Sequence, residues 1–352
     1  MSTVNQQPSS KVARPESSTA ATNSLQSPPE QMRPNLRWQR RLALLLLLSQ
    51  AGITVSGSIV RVTGSGLGCD TWPNCQEGSL VPVAGAQPWI HQIIEFGNRL
   101  LTFVVVAAAI AALFAVWKAG RRRELVVYGV LSIVGIIVQA VIGGISVHME
   151  LHWWSVALHF LPSMLLVWIA ALLYTRVLED DEQPPQRVFG ANTRRFAACA
   201  AAALAVVLIT GTMVTGSGPH SGDAEAGMEG RLELDTEMLA IVHAVCMYTY
   251  LLLTLLVVWQ LYKQHAPQRA KFTAWVLVGM IIVQWAVGVA QFYLGVPRWT
   301  VPFHIAMSSV VVAFTAALWA RGYARPRLPG APFMFNKALA REKSLSAAKS
   351  KN

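Results

Sequence analysis

Eight apolar stretches, each about as long as a bilayer is thick, dictate most of what this 352-residue chain can become. They run roughly over 42–60, 93–117, 125–147, 155–174, 196–214, 239–261, 272–294 and 301–320. A helix needs about 20 predominantly apolar residues to cross hydrocarbon. Only helices and closed barrels satisfy their backbone polar groups there. None of the runs alternates with period two, which argues against a barrel. A hydrophobic share of 53% with 13% charged residues agrees. The expected fold class is therefore an all-α polytopic membrane protein with eight transmembrane helices.

The basic residues orient it. All but four of the 29 Lys and Arg residues fall in the N-terminal tail, in the loops after the second, fourth and sixth runs, or in the C-terminal tail. The exceptions are Arg61, Arg99, Arg231 and Arg298. The positive-inside rule then puts both termini in the cytoplasm, with the chain in the cell (inner) membrane. The net charge of +11 is a topology signal and an attraction to anionic lipid. It is spread over short loops and tails, so no nucleic-acid partner is expected. The first apolar run lacks a convincing small-residue cleavage site and reads as a retained helix rather than a signal peptide.

A second constraint is an internal repeat. Shifting residue numbers by 145 lays Asn98 on His243, Gln139 on Gln284 and His159 on His304. A Thr-Gly-Ser-Gly string also recurs, at 63–66 and 215–218, with an offset seven residues longer. Four helices per copy is an even number, so the two copies share one orientation, related by a pseudo-twofold axis along the membrane normal. The expected organisation is a disordered cytoplasmic tail (1–40), an N-terminal four-helix half (41–175), a cytoplasmic linker (176–195), a C-terminal four-helix half (196–320) and a cytoplasmic tail (321–352).

The repeat sorts the polar residues by role. His243 and His304 each open a helix that enters from the outer face, so their imidazoles sit at similar depth. Ionisable groups inside a membrane are costly and tend to be functional. Two neutral imidazoles from facing helices of a bundle can hold one heme iron from both sides; the alternative is two unrelated, hydrogen-bonded histidines. In the first half His159 has Asn98 as its counterpart, a poor iron ligand. Glu95 and Arg99 flank Asn98 and give that segment a polar cavity, or else neutralise each other at i,i+4 spacing. His91, His148 and His152 lie at the outer boundary, and His220 and His265 receive no role. Cys69 and Cys75 in the first outer loop are expected to form a disulfide, with a redox-active dithiol as the alternative. Cys199 and Cys246 read as packing residues.

These residues resemble the heme A synthase family over about 40–320. The resemblance rests on the run 57–66 (GSIVRVTGSG), the loop Cys69…Trp72-Pro73…Cys75, the segment Glu95…Asn98-Arg99, and the histidines opening the fourth, sixth and eighth helices. It implies a heme b cofactor held by His243 and His304, and heme O as substrate in the N-terminal half. There Glu95 matches the family's motif carboxylate, and His159 the substrate-side histidine. Asn98 departs from the family pattern, which has histidine at that place, so the substrate iron is expected to be held either by His159 alone or with help from His91, two turns outward. Arg61 and Arg99 would meet heme propionates. The implied reaction oxidises the C8 methyl of heme O to a formyl group. The implied partners are a heme O synthase, terminal oxidase assembly and membrane lipid, and a homo-oligomer stays open. A di-heme b-type electron carrier without substrate chemistry is the competing reading.

Overall fold

The computed structural model describes residues 35–220 and 229–326. The tail expectations for 1–34 and 327–352 lie outside those residues. Eight long helices carry the described chain: α1 (Leu36–Val62), α2 (Trp89–Lys118), α3 (Arg123–His148), α4 (Trp153–Arg176), α5 (Ala191–Ser217), α6 (Thr236–Lys263), α7 (Gln268–Tyr293) and α8 (Thr300–Ala320). All eight are long and apolar enough to span a bilayer. Leu48, Phe103, Ile137 and Leu252 point outward without protein cover, as lipid-facing side chains do. The chain is an integral membrane protein.

Most helices start earlier than their apolar runs because polar residues extend them at the ends. Asn35 caps α1 by accepting from the Trp38 amide at 3.1 Å. Asp235 caps α6 by accepting from the amides of Glu237 and Met238 at 2.8 and 3.3 Å. At the end where the basic loops gather, long side chains fold over aromatic rings, Lys118 on Phe114 and Lys263 on Trp259.

Consecutive helices within 1–4 and within 5–8 pack side by side, and α1 also packs on α4. Between the two sets, α4 meets α8, α1 meets α8, and α4 meets α5. Ala171 and Leu172 of α4 are buried against Ala316 and Ala320 of α8, small residues that allow close approach. By contrast, the backbones of α2 and α4, and those of α6 and α8, stay apart among the described residues, although deeper in the bundle the Tyr250 hydroxyl of α6 meets the Thr315 hydroxyl of α8 at 2.6 Å. Each diagonal gap leaves a slot flanked by the other two helices of its set.

The segment between α4 and α5 is a strap rather than a free linker. A two-residue strand, β1 (Gln186–Arg187), pairs antiparallel with β2 (Tyr323–Ala324), just past α8. Arg121 reaches Asp181 at 2.6 Å, the Glu179 carbonyl at 2.9 Å and Gln39 of α1 at 2.6 Å. Arg122 pairs with Glu179 at 2.8 Å and with Asp181 at 3.0 Å. Burial pushes the Glu179 carboxyl up, against the opposing charge of Arg122. For Asp181 burial also acts upward, but the hydrogen bond and charge of Arg121, then those of Arg122, outweigh it and hold the carboxyl low. This strap was not visible as structure in the sequence, where two-residue strands leave no periodic signal.

Candidate functional site: two diagonal slots

The first slot lies between α6 and α8. His243 falls in the second turn or so of α6 and His304 in the second turn of α8. Their ring centres stand 6.5 Å apart with the planes at 56°. Metal–imidazole bonds of about 2.0–2.1 Å on opposite sides of one ion would space the ring centres by about 6–6.5 Å. The pair fits a single iron held from both faces. Nδ1 of His243 is 3.0 Å from the Thr210 hydroxyl on α5, which leaves Nε2 to face the gap.

Glycine sets the ring positions. A Cβ on Gly211 would stand 3.2 Å from His243 Cε1, and one on Gly288 would stand 3.1 Å from His304 Cε1. The missing side chains let each imidazole lie on the neighbouring helix backbone. Gln284 donates to the His304 carbonyl at 3.1 Å and to the Ser308 hydroxyl at 2.9 Å, tying α7 to α8 one turn deeper. Below the rings an apolar cleft is lined by Leu204, Leu208, Met247, Ile281, Gln284 and Ser308.

The second slot, between α2 and α4, repeats much of this. A Cβ on Gly143 would stand 3.1 Å from His159 Cε1. Gln139 donates to the His159 carbonyl at 2.7 Å and makes a very short contact with Ser163. Asn98 takes the place of His243, with the Ser56 hydroxyl of α1 donating to its Oδ1 at 2.6 Å, as Thr210 of α5 meets His243. The hydroxyls of Ser56 and Thr210, and the three glycines against the imidazoles, carry part of the site without having been singled out from sequence. Their signal was present as Gly143 and Gly288 at the 145 offset.

Glu95 and Arg99 have a more committed job than the sequence suggested. Glu95 is buried, and both of its oxygens are taken. Oε2 accepts from the Cys69 amide at 2.7 Å, while Oε1 accepts from Arg99 Nη2 at 2.7 Å and Nε at 3.2 Å. Arg99 also donates to the carbonyls of Thr71, Asn74 and Cys69 at 3.0, 2.9 and 2.9 Å. All five guanidinium donors are thereby engaged, so none is left for a propionate. The pair clamps the loop that Cys69 and Cys75 close with a disulfide. On the far side of the slot Trp72 of that loop lies so close to Gly144 of α3 that a Cβ there would stand 2.4 Å from its ring. The loop therefore caps the second slot from α2 to α3.

Arg61 is placed between the slots. It reaches from α1 to the Thr215 carbonyl of α5 at 3.1 Å, and its buried Nε has no hydrogen-bond partner. Nδ1 of His91, nearer the start of α2, is 2.8 Å from Ser65 Oγ. His152 turns to the Met149 carbonyl, and among the described residues no group of three His, Cys, Asp or Glu side chains could hold a metal ion. Cys199 and Cys246 are free.

The chain is similar in sequence to several curated heme A synthases. The chain is 33% identical over 149 residues to the heme A synthase of Lysinibacillus sphaericus, covering 42% of this chain and 47% of that protein. It is 29% identical over 158 residues to the heme A synthase of Bacillus licheniformis, covering 44% and 51%. With the heme A synthase of Halalkalibacterium halodurans it shares 29% over 181 residues, covering 50% and 59%. The chain thus spans about half the length of the curated relatives it matches. Residues 40–316 match the COX15-CtaA family model, described as cytochrome oxidase assembly protein, and the chain belongs to that family.

Proposed function

We propose that this protein is a heme A synthase, an oxidoreductase that converts the C8 methyl of heme O to a formyl group to supply heme A for terminal oxidase. The observation that carries this reading is the inequality of two like-built slots: one has a facing His243/His304 pair, the other His159 opposite Asn98 beneath a clamped loop. The complete pair suits a permanent heme b, whose iron would be held by His243 and His304. The heme supplies one-electron chemistry when bound. The incomplete pair suits a heme that arrives, reacts and leaves.

This chain's own groups do the positioning. His159, backed by Gly143, presents its ring to the substrate slot. Glu95 holds a negative charge at the slot rim, fixed by Arg99 and the Cys69 amide, where it stabilises positive charge on a reacting methyl. Its lone Nε donor makes Arg61 the better candidate for a propionate, and Arg99 serves the loop instead. Cys69–Cys75 fits the structural reading, because the loop it closes is the one that Glu95 and Arg99 grip.

Two contacts support a pseudo-twofold relation between an N-terminal half (41–175) and a C-terminal half (196–320). Ser309 Oγ meets Met164 Sδ at 3.9 Å, and these residues are 145 positions apart. Equivalent residues that touch lie on a twofold axis. The crossings of α1 with α8 and α4 with α5 exchange under the same operation. Basic residues at one end and the disulfide at the other support cytoplasmic termini in the cell membrane, with a heme O synthase and the oxidase assembly machinery as partners.

The engagement of both Glu95 oxygens favours one second reading, a di-heme b-type carrier, since it leaves no free carboxylate in the slot. Extracting the pigments of the purified protein separates the two. The synthase yields heme b together with heme O or its oxidised products, and a carrier yields heme b alone.

A further inference from the structure

We infer that the substrate slot holds its heme from one side only, through His159, and that the opposite axial position, facing Asn98, is an open site for one small exogenous ligand. The inference rests on the heme reading above and concerns the ligation of that slot.

Position comes first. Asn98 and His243 occupy the same station in the two sets, each on the helix diagonal to the second histidine. Each is met by a hydroxyl from the preceding helix, Ser56 at 2.6 Å and Thr210 at 3.0 Å. In the C-terminal slot that station supplies the second imidazole and closes the iron. In the N-terminal slot it supplies an amide. A neutral amide is a poor iron ligand. Its oxygen already accepts from Ser56, and its Nδ2 is a donor with no lone pair to give.

No neighbour replaces the missing imidazole. His91 is seven residues, about two turns, outward from Asn98 on α2, and its carbonyl lies hard against Gly68, where a Cβ would stand 2.3 Å away; this position, not the Ser65 contact at Nδ1, keeps its ring from the station of Asn98. The start of α2 is pinned there by the capping loop. Glu95 has both oxygens bound and Arg99 all five donors. What remains on the α2 side is Asn98 Nδ2, which has no hydrogen-bond partner among the described residues. An amide N–H aimed at an open axial position can steady the outer atom of a diatomic or triatomic ligand but cannot bind the metal itself.

Carbon monoxide titration of the full-length, dithionite-reduced protein in detergent, loaded with one equivalent of heme O, tests this. The wild type is expected to bind one CO per chain and to show one high-spin and one low-spin heme. Asn98→His should close the position, turning the second heme low-spin and cutting CO binding at least tenfold. Asn98→Ala guards against misfolding of that variant. It should keep the CO stoichiometry and weaken azide binding to the ferric protein by about 3- to 10-fold, the worth of one hydrogen bond. Two low-spin hemes and no CO uptake in the wild type would overturn the inference while leaving the two-heme reading intact. Failure to take up any second heme would overturn both.

Discussion

The two slots are built from the same parts and differ in one axial station. Each has a glycine under an imidazole, a Gln–Ser pair that ties its helices together, and a hydroxyl from the preceding helix. In one slot the hydroxyl steadies His243, in the other Asn98. The difference teaches that one scaffold built twice can carry two different ligand sets; on the proposed reading, a single side chain separates a slot that retains heme from one that processes it. The second difference is the cover. The N-terminal slot lies under a disulfide loop gripped by Glu95 and Arg99, whose Trp72 reaches across to Gly144 of α3.

The comparison breaks most visibly if the complete pair is removed. His304→Ala should lose essentially all low-spin heme b, read from the reduced α-band and extracted heme. Glu95→Gln should leave that signal in place while heme A production falls about 100-fold or more, the scale of a lost electrostatic group. Normal heme A in that variant would remove Glu95 from the chemistry. Gly288→Val and Gly143→Val give a matched pair. Each adds a Cβ about 3.1 Å from an imidazole, and the helix leaves little room to yield. Gly288→Val should lower heme b content at least twofold, and Gly143→Val should spare it. Equal losses would mean that the slots do not act separately.

The smallest effect concerns the strap near both slots' basic ends. Asp181 is held below its ordinary value of 3.8. Its stabilising contribution is fully present above that value and is lost as pH falls through the lower folded one. Asp181→Asn should therefore flatten the acid limb of a thermal-unfolding series below about pH 4. An unchanged limb would show that the strap carries no such stabilisation.

Much of this was legible in the sequence, for physical reasons. Apolar length alone predicts eight helices, because hydrocarbon admits few other structures. The offset pairs His243 with Asn98 because a duplicated backbone preserves stations even where side chains change. The rest depended on contacts distant along the chain. That Arg99 spends all its donors on the carbonyls of Cys69, Thr71 and Asn74 and on Glu95 cannot be read from i,i+4 spacing. The β1–β2 pairing and the reach of Arg121 to Asp181 join segments that only the folded bundle brings together. Gly143, Gly211 and Gly288 looked like ordinary membrane-helix glycines until an imidazole was found lying on each.

The central claim, a resident heme in one slot and a substrate in the other, is tested most directly by extracting the pigments of His304→Ala and His159→Ala beside wild type. The account predicts that His304→Ala loses heme b, and that His159→Ala keeps heme b but contains neither heme O nor heme A. Loss of heme b from His159→Ala with its retention in His304→Ala would contradict it.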